Sequence, residues 1–245
     1  MHYSLRRAFA WIGAVLFPGS LLYFLYFYLM VLHLDRPAPA GRLGALTIDV
    51  LLFSVFALHH SIMARTGAKR WLTRVVPAEL ERSTYVWISS LLFLATCGLW
   101  QSIGGILYDI RGPIAIGLYL VQAAGVVLAL VASAALHPFE LAGLRPARST
   151  AARQTGKPNP PGAPDPSLRT SGVYGWVRHP VYFGWVLFVF AAPRMTTDRL
   201  VFAIVSTTYL AMAVPFEERS LVEVFGDQYR RYTGRVRWKI LPWIY

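Results

Sequence analysis

Cysteine and charge are both scarce in this sequence. Cys97 is its single cysteine, so a disulfide framework and a thiolate metal cluster within one chain are excluded. Only 15% of the 245 residues are charged, whereas a soluble domain usually carries about a quarter. The sequence also lacks the Gly-x-Gly-x-x-Gly turn that opens a Rossmann-type cofactor domain. Of these absences, the scarcity of charge favours a membrane protein over a soluble one.

Long apolar runs fill much of the chain, and 56% of its residues are hydrophobic. A helix needs roughly 20 apolar residues to cross a bilayer. The sequence therefore predicts an all-α polytopic membrane protein with about six transmembrane helices, near 9–34, 44–64, 84–106, 113–137, 180–193 and 198–216. The fifth segment is short, and only Arg194–Thr197 separates it from the sixth, so we expect the last two helices to form a tight hairpin.

The distribution of lysine and arginine predicts the orientation. With a cytoplasmic N-terminus, 19 Lys and Arg residues lie on the cytoplasmic side and 5 on the other. This asymmetry follows the positive-inside rule and places both termini in the cytoplasm. The net charge of +12 is then explained by basic loops facing anionic lipid rather than by nucleic acid. Arginine outnumbers lysine 21 to 3, which favours a GC-rich genome and a bacterial cytoplasmic membrane.

Three regions follow from these segments. Residues 1–145 form an N-terminal four-helix membrane region. Residues 146–170 contain six prolines, which predicts a flexible cytoplasmic loop, either a plain linker or a lid. Residues 171–245 carry the distinctive motifs. Their tail predicts an amphipathic cytoplasmic helix, because apolar and aromatic residues recur at helical spacing at Leu221, Val224, Phe225 and Tyr232.

One motif predicts a charged helix start at the membrane boundary. Pro180 suits the first position of a helix, and the residue before a proline is extended. Arg178 and His179 therefore precede a membrane helix whose unpaired N–H groups suit an anion. Gly184 would allow a bulky ligand to approach closely. The alternative is a basic anchor within an interfacial aromatic belt.

Two adjacent carboxylates, Glu217 and Glu218, follow the sixth segment. If the last two helices form a hairpin, these glutamates lie beside Arg178 and His179. Carboxylates at a membrane boundary are costly unless they are paired or used. A salt bridge between Arg178 and one glutamate is therefore as plausible as a binding role, and the two interpretations are compatible.

Two histidines lie within the second apolar segment. His59 and His60 are about three turns from Asp49, too far for a shared metal ion at roughly 1.5 Å per residue. No metal site is predicted. An ionisable residue inside a span is a functional candidate, and hydrogen bonding between helices is the alternative for His60.

Three motifs resemble one enzyme family. Arg178-His179-Pro180-Val181-Tyr182-Phe183-Gly184 resembles the Arg-His-Pro-x-Tyr-x-Gly signature of the isoprenylcysteine carboxyl methyltransferase superfamily. The stretch from Glu217-Glu218 through Tyr229 and Tyr232 to Pro242 resembles its C-terminal signature. The N-terminal half, with His59-His60-Ser61 and Glu81-Arg82-Ser83, is similar to the branch that contains bacterial methanethiol S-methyltransferases. The long Pro-rich loop departs from that branch.

The resemblance implies an integral membrane methyltransferase that uses S-adenosylmethionine (SAM). The acceptor would be a small thiol or a lipophilic molecule; a prenylcysteine carboxylate or a phospholipid amine is the alternative, and a non-enzymatic subunit or a transporter is another. Carried over by residue, the catalytic positions are Arg178 and His179, and the cofactor-binding positions are His179, Pro180, Tyr182, Gly184, Glu217, Glu218 and Tyr229. His60 and Arg235 are the substrate-binding candidates. The oligomeric state is not predicted.

Overall fold

The computed structural model describes residues 3–39, 41–63, 65–135 and 168–245. Most of the predicted Pro-rich loop lies outside these residues. The described helices are α1 (Tyr3–Tyr26, extended by a π-helical turn at Phe27–Val31), α2 (Arg42–Met63), α3 (Thr66–Leu72), α4 (Glu81–Gly98), α5 (Pro113–Ala134), α6 (Pro180–Phe190), α7 (Thr197–Phe225) and α8 (Asp227–Arg235). Two strands, β1 (Ile106–Asp109) and β2 (Arg194–Thr196), complete the described fold together with short 3₁₀ turns at Ala78–Leu80 and Gly172–Gly175.

Four of the described helices are long and apolar enough to cross a bilayer: Ser4–Val31, Arg42–Met63, Pro113–Ala134 and Thr197–Phe225. Helix α6 is apolar but has only 11 residues, and α4 has 18. The chain is therefore a mostly helical, multi-pass membrane protein.

A small antiparallel sheet corrects the all-α prediction. The sequence predicts a third helix reaching residue 106, but α4 ends at Gly98 and residues 99–105 form an irregular turn with Gly104 and Gly105 at positive φ. Strand β1 follows and pairs with β2, which joins α6 to α7. The connection predicted to be a bare hairpin turn is thus an extended segment, because its backbone groups pair with β1.

The last apolar segment also differs from its predicted length. Helix α7 continues through Pro215 to Phe225 instead of ending near 216. Gly226, with φ of 55°, ends it and starts the nine-residue α8. The tail predicted to be one amphipathic helix is therefore divided between the end of α7 and α8.

An aromatic cluster holds the helices together. The ring of Phe24 on α1 lies 5.4 Å from Phe93, 5.0 Å from Trp185 and 5.5 Å from Phe202, measured between centroids. These rings come from α4, α6 and α7, so four helices meet at one residue. Aromatic pairs at such distances stabilise packing beyond the area that they bury.

Buried polar residues anchor the opposite end of α7 from its glutamates. Asp198 accepts a hydrogen bond from the backbone N–H of Ile103 at 2.9 Å. The buried Arg199 guanidinium donates to the carbonyl oxygens of Tyr28, Leu29 and Arg194. These contacts satisfy charges that would be costly to bury unpaired, and they fix the start of α7 against α1 and the turn after α4.

Helices α5 and α6 approach each other closely at two glycines. A Cβ placed on Gly125 would lie 2.5 Å from the Gly184 carbonyl oxygen, and a Cβ on Gly184 would lie 2.5 Å from the Gly125 oxygen. A side chain at either position would force the backbones apart. Small residues allow this approach between membrane helices.

Replacing Gly125 by alanine should therefore destabilise the protein. Overpacking of this kind costs about 1–3 kcal/mol, measurable as a lower thermal unfolding temperature in detergent. Gly117→Ala on the same helix is the matched control, because a Cβ there meets nothing within 4 Å. Equal unfolding temperatures for the two variants would contradict the helix contact.

Candidate functional site

Arg178 ties three parts of the C-terminal region together. Its Nε lies 2.6 Å from Glu218 Oε1 and its Nη2 lies 3.3 Å from Oε2, a two-pronged ion pair. Its Nη1 donates to the carbonyl oxygens of Val236 and Arg237 at 2.9 and 2.8 Å. The side chain is only 7% exposed. The guanidinium therefore makes four hydrogen bonds within the protein itself and acts as a clamp.

His179 lies between the two glutamates. Its Nδ1 is 3.3 Å from Glu217 Oε2, and its Nε2 is 3.4 Å from Glu218 Oε1. Burial alone would lower the pKa of His179, but the hydrogen bonds and charges of both glutamates outweigh burial and raise it above 6.5. The site therefore favours the imidazolium, and its ring stacks on Tyr182.

Glu217 is the more accessible of the two carboxylates. Its side chain is 46% exposed, against 17% for Glu218. The Tyr182 hydroxyl donates a hydrogen bond to Glu217. Glu218 is thus committed to Arg178, while Glu217 presents charge to solvent beside an aromatic ring.

The start of α6 is closed by the chain's own tail. The backbone N–H groups of Arg178 and His179 donate to the carbonyl oxygens of Trp238 and Lys239 at 2.9 and 2.8 Å. The N–H groups of Tyr182 and Phe183 donate to the His179 oxygen. The expected anion site at this helix start is corrected accordingly, because most of its donors are already used.

Two other predicted site residues, Pro180 and Gly184, are packed against the rest of the protein. Pro180 is buried at the first position of α6, as its fixed φ favours. Gly184 faces Gly125, so the close approach that it permits is made by α5. The expectation that Gly184 faces a ligand is corrected for this reason.

The tyrosine face of α8 turns towards the site. Tyr229 and Tyr232 are each 2% exposed, and the Tyr232 hydroxyl donates to the Tyr174 carbonyl at 2.7 Å. The Tyr229 hydroxyl lies beside Glu218, without a well-formed hydrogen bond within the described residues. Arg235 is exposed and lines an open groove with Gln228 and Arg231. The structure does not bring Arg235 to the other predicted residues.

A second polar group lies on neighbouring helices. The Tyr85 hydroxyl is 2.9 Å from His60 Nδ1, and the Ser61 hydroxyl is 2.9 Å from the Tyr209 hydroxyl. The sequence singles out His60 but gives no reason to select Tyr85 or Tyr209 as site residues. The only sequence feature that could have indicated Tyr85 and Tyr209 is the presence of a polar residue near the end of each apolar segment.

Comparison with known proteins decides the family. A model of the isoprenylcysteine carboxyl methyltransferase (ICMT) family matches residues 161–223. The methanethiol S-methyltransferase of Mycobacterium tuberculosis is 38% identical over 207 residues, which are 84% of this chain and 81% of that protein. The chain belongs to the isoprenylcysteine carboxyl methyltransferase family. The resemblance seen in the motifs is confirmed.

Other relatives include a further bacterial methanethiol S-methyltransferase and a mammalian protein. The methanethiol S-methyltransferase of Pseudomonas deceptionensis is 40% identical over 193 residues, 78% of this chain and 71% of that protein. Nurim from Rattus norvegicus is 28% identical over 183 residues, 73% of this chain and 69% of that protein. No solved structure matches the chain. The protein is thus a membrane methyltransferase of this family.

Breaking the Arg178 clamp should destabilise the C-terminal region. Arg178→Ala removes the guanidinium from Glu218 and leaves His179 as the charged partner of that carboxylate; breaking a buried ion pair costs roughly 3–5 kcal/mol. The measurement is thermal unfolding of Arg178→Ala, Glu218→Ala and the double variant. We expect the double variant to lose less stability than the two single losses added together. Strict additivity would show that the pair does not couple.

The raised pKa of His179 predicts a pH-dependent stability. A protonated group with a raised folded-state pKa contributes its full stabilisation below its unfolded value of 6.5 and loses it as the pH rises through the folded value. Between pH 6 and pH 9, the unfolding temperature of wild type should therefore fall more than that of His179→Gln. Parallel curves for the two proteins would rule out this contribution.

Proposed function

We propose that this protein transfers a methyl group from SAM to a small thiol, with SAM bound at the ends of α6 and α7. Relatives that bear the name methanethiol S-methyltransferase support the acceptor class. The observation that carries the cofactor site is the half-exposed Glu217 carboxylate, hydrogen-bonded to Tyr182 and His179. We assign residues 171–245 to SAM binding and residues 1–145 to the membrane scaffold.

The residues present suit a cationic cofactor. SAM carries a sulfonium and an ammonium group, and when bound it supplies an activated methyl group. Glu217 offers an accessible carboxylate, and Tyr182 offers a ring face of the kind that attracts cations. The Tyr229 hydroxyl lies buried beside Glu218, behind this accessible surface. These side chains therefore fit a ligand that carries positive groups at its reacting end.

The other predicted site residues hold these binding groups in position. Arg178 and Glu218 hold α6, α7 and the tail in register. His179 connects both carboxylates, so it orients Glu217. Pro180 fixes the helix start. We therefore propose that Arg178 and His179 position the reacting groups, which suits a displacement that depends on alignment and exclusion of water.

The proposed membrane topology adds two helices to the four that are long enough to cross a bilayer. We propose that α4 and α6, the latter with its extended connection to α7, also cross the bilayer, giving six spans. With the Lys and Arg distribution, both termini and the SAM site then lie on the cytoplasmic side of a bacterial membrane. SAM would enter from the cytoplasm, and an apolar acceptor would enter between helices.

Direct binding tests the cofactor site. We expect the purified protein to bind SAM in calorimetry, and His179→Ala, Glu218→Ala and Glu217→Gln to bind it at least about tenfold more weakly, because each variant loses a charged group of the site and a tenfold change corresponds to about 1.4 kcal/mol. Glu223→Gln is the matched control, because Glu223 is an exposed glutamate on the same helix. Undiminished binding in all three site variants would overturn the site, and no binding by wild type would overturn the function.

Product analysis tests the acceptor. Incubation with methyl-labelled SAM and a panel of methanethiol, larger thiols, prenylcysteines and phospholipid amines should label the small thiols first. Methanethiol would give labelled dimethyl sulfide. Labelling confined to prenylcysteine or phospholipid would refute the small-thiol proposal while retaining the methyltransferase.

A further inference from the structure

A polar group at the same end of the helix bundle as the SAM site has no role in the function described so far. His60 and Ser61 lie in the last turn of α2, and Tyr85 lies in the second turn of α4. Tyr209 lies on α7, about two turns before Glu217. The Tyr85–His60 and Ser61–Tyr209 contacts, both 2.9 Å, pair these side chains across helices.

Glu217 connects this group to the SAM site. Its carboxylate is an electrostatic neighbour of His60, Tyr85 and Tyr209. Tyr182, which donates to Glu217, is in turn a neighbour of Tyr209 and Tyr85. Glu217 is therefore within electrostatic reach both of His179 on the cofactor side and of His60 on α2.

The His60 ring is held by one hydroxyl. Tyr85 lies 2.9 Å from Nδ1, and its longer contact to Nε2 is 3.4 Å. The ring also contacts Phe56, with 5.8 Å between centroids. His60 nevertheless remains exposed. A ring held by one hydroxyl, accessible and near the cofactor carboxylate, is suited to accept a proton from a bound molecule.

A thiol acceptor needs such a group. Neutral thiols are weak nucleophiles, and the thiolate is the reactive form. A thiol with an ordinary pKa near 8.5 is mostly protonated at neutral pH. A methyltransferase that acts on thiols therefore benefits from a proton acceptor within reach of the sulfur.

We propose that His60 takes the proton of the thiol and that Tyr85 is the positioning residue for its imidazole; this inference rests on the proposed thiol methylation. The S–H bond breaks and the proton passes to His60. The electron pair of the thiolate sulfur then forms the bond to the methyl carbon. The bond from that carbon to the sulfonium sulfur breaks, and its electrons stay there. A thioether, S-adenosylhomocysteine and a protonated His60 result.

Charged and titratable groups on three helices surround His60. They are Glu217 on α7, Arg82 on α4 and the adjacent His59 on α2. The Tyr85 hydroxyl and the Tyr209–Ser61 pair are the neutral polar neighbours. Since Glu217 also faces the SAM site, one carboxylate would serve both the cofactor and the proton acceptor.

The test compares His60→Asn and Tyr85→Phe with wild type. At pH 7, His60→Asn should lower kcat for methanethiol by roughly 10²-fold, the lower range for general acid–base catalysis, with the SAM dissociation constant within about threefold. Its rate should rise about tenfold per pH unit below the thiol pKa, because the thiolate must then come from solution. A more acidic selenol should be methylated by the variant with much less loss. Tyr85→Phe should show the same pattern, more weakly.

A second measurement does not depend on turnover. With S-adenosylhomocysteine bound, ethanethiol added to wild type at pH 7 should give the ultraviolet absorbance of a thiolate, and His60→Asn should not. His33→Asn is the matched control, because His33 follows α1 at the opposite end of the bundle, within electrostatic reach of Arg199 and Arg194; it should behave as wild type in every assay.

The outcomes separate this inference from the proposed function. Wild type that binds no SAM or methylates no thiol refutes both. Wild type that methylates thiols while His60→Asn keeps full rate, or loses rate equally for thiol and selenol at every pH, refutes the role of His60 alone. Parallel loss of SAM binding in His60→Asn and Tyr85→Phe would also refute it, because the pair would then support the cofactor site.

Discussion

The Arg178–Glu218 ion pair is the interaction on which the candidate site depends. One buried guanidinium holds the start of α6, the carboxylate of α7 and the backbone of the tail. The same tail closes the start of α6 through the carbonyl groups of Trp238 and Lys239. Every group proposed to contact SAM belongs to an element fixed by this clamp. Buried pairs of this kind stabilise a fold only when their groups are well hydrogen-bonded, and Arg178 makes four such bonds.

The two adjacent glutamates have separate tasks because a helix turns by about 100° per residue. Glu218 points to the buried Arg178, and its charge stabilises the fold. Glu217 points to Tyr182 and His179 and keeps half of its side chain exposed. His179 contacts both carboxylates. The structural pair and the accessible carboxylate are thus coupled through one imidazole, which explains why charge is concentrated at this point of a largely apolar chain.

Much of this site could be predicted from the sequence, because the signals are local. Pro180 marks a helix start, and the short link between the last two apolar segments brings the glutamates beside Arg178. The partners that lie far away in the chain could not be predicted. Gly184 packs on Gly125, and Arg178 binds carbonyl oxygens that any residue could supply. The Tyr85–His60 pair joins two helices whose rotation the sequence pattern does not specify.

The unpredicted strand β2 explains how so short a helix as α6 reaches the glutamates. Its 11 residues, at about 1.5 Å each, rise roughly 16 Å. The six residues 191–196, at up to about 3.3 Å each, add as much as roughly 20 Å. The 22 residues of α7 from Thr197 to Glu218 rise roughly 33 Å. The helix and its extended connection together match the longer helix, and the pairing of β2 with β1 fixes that extension. The sheet at one end of the bundle therefore sets the depth at which His179 meets Glu217 and Glu218 at the other.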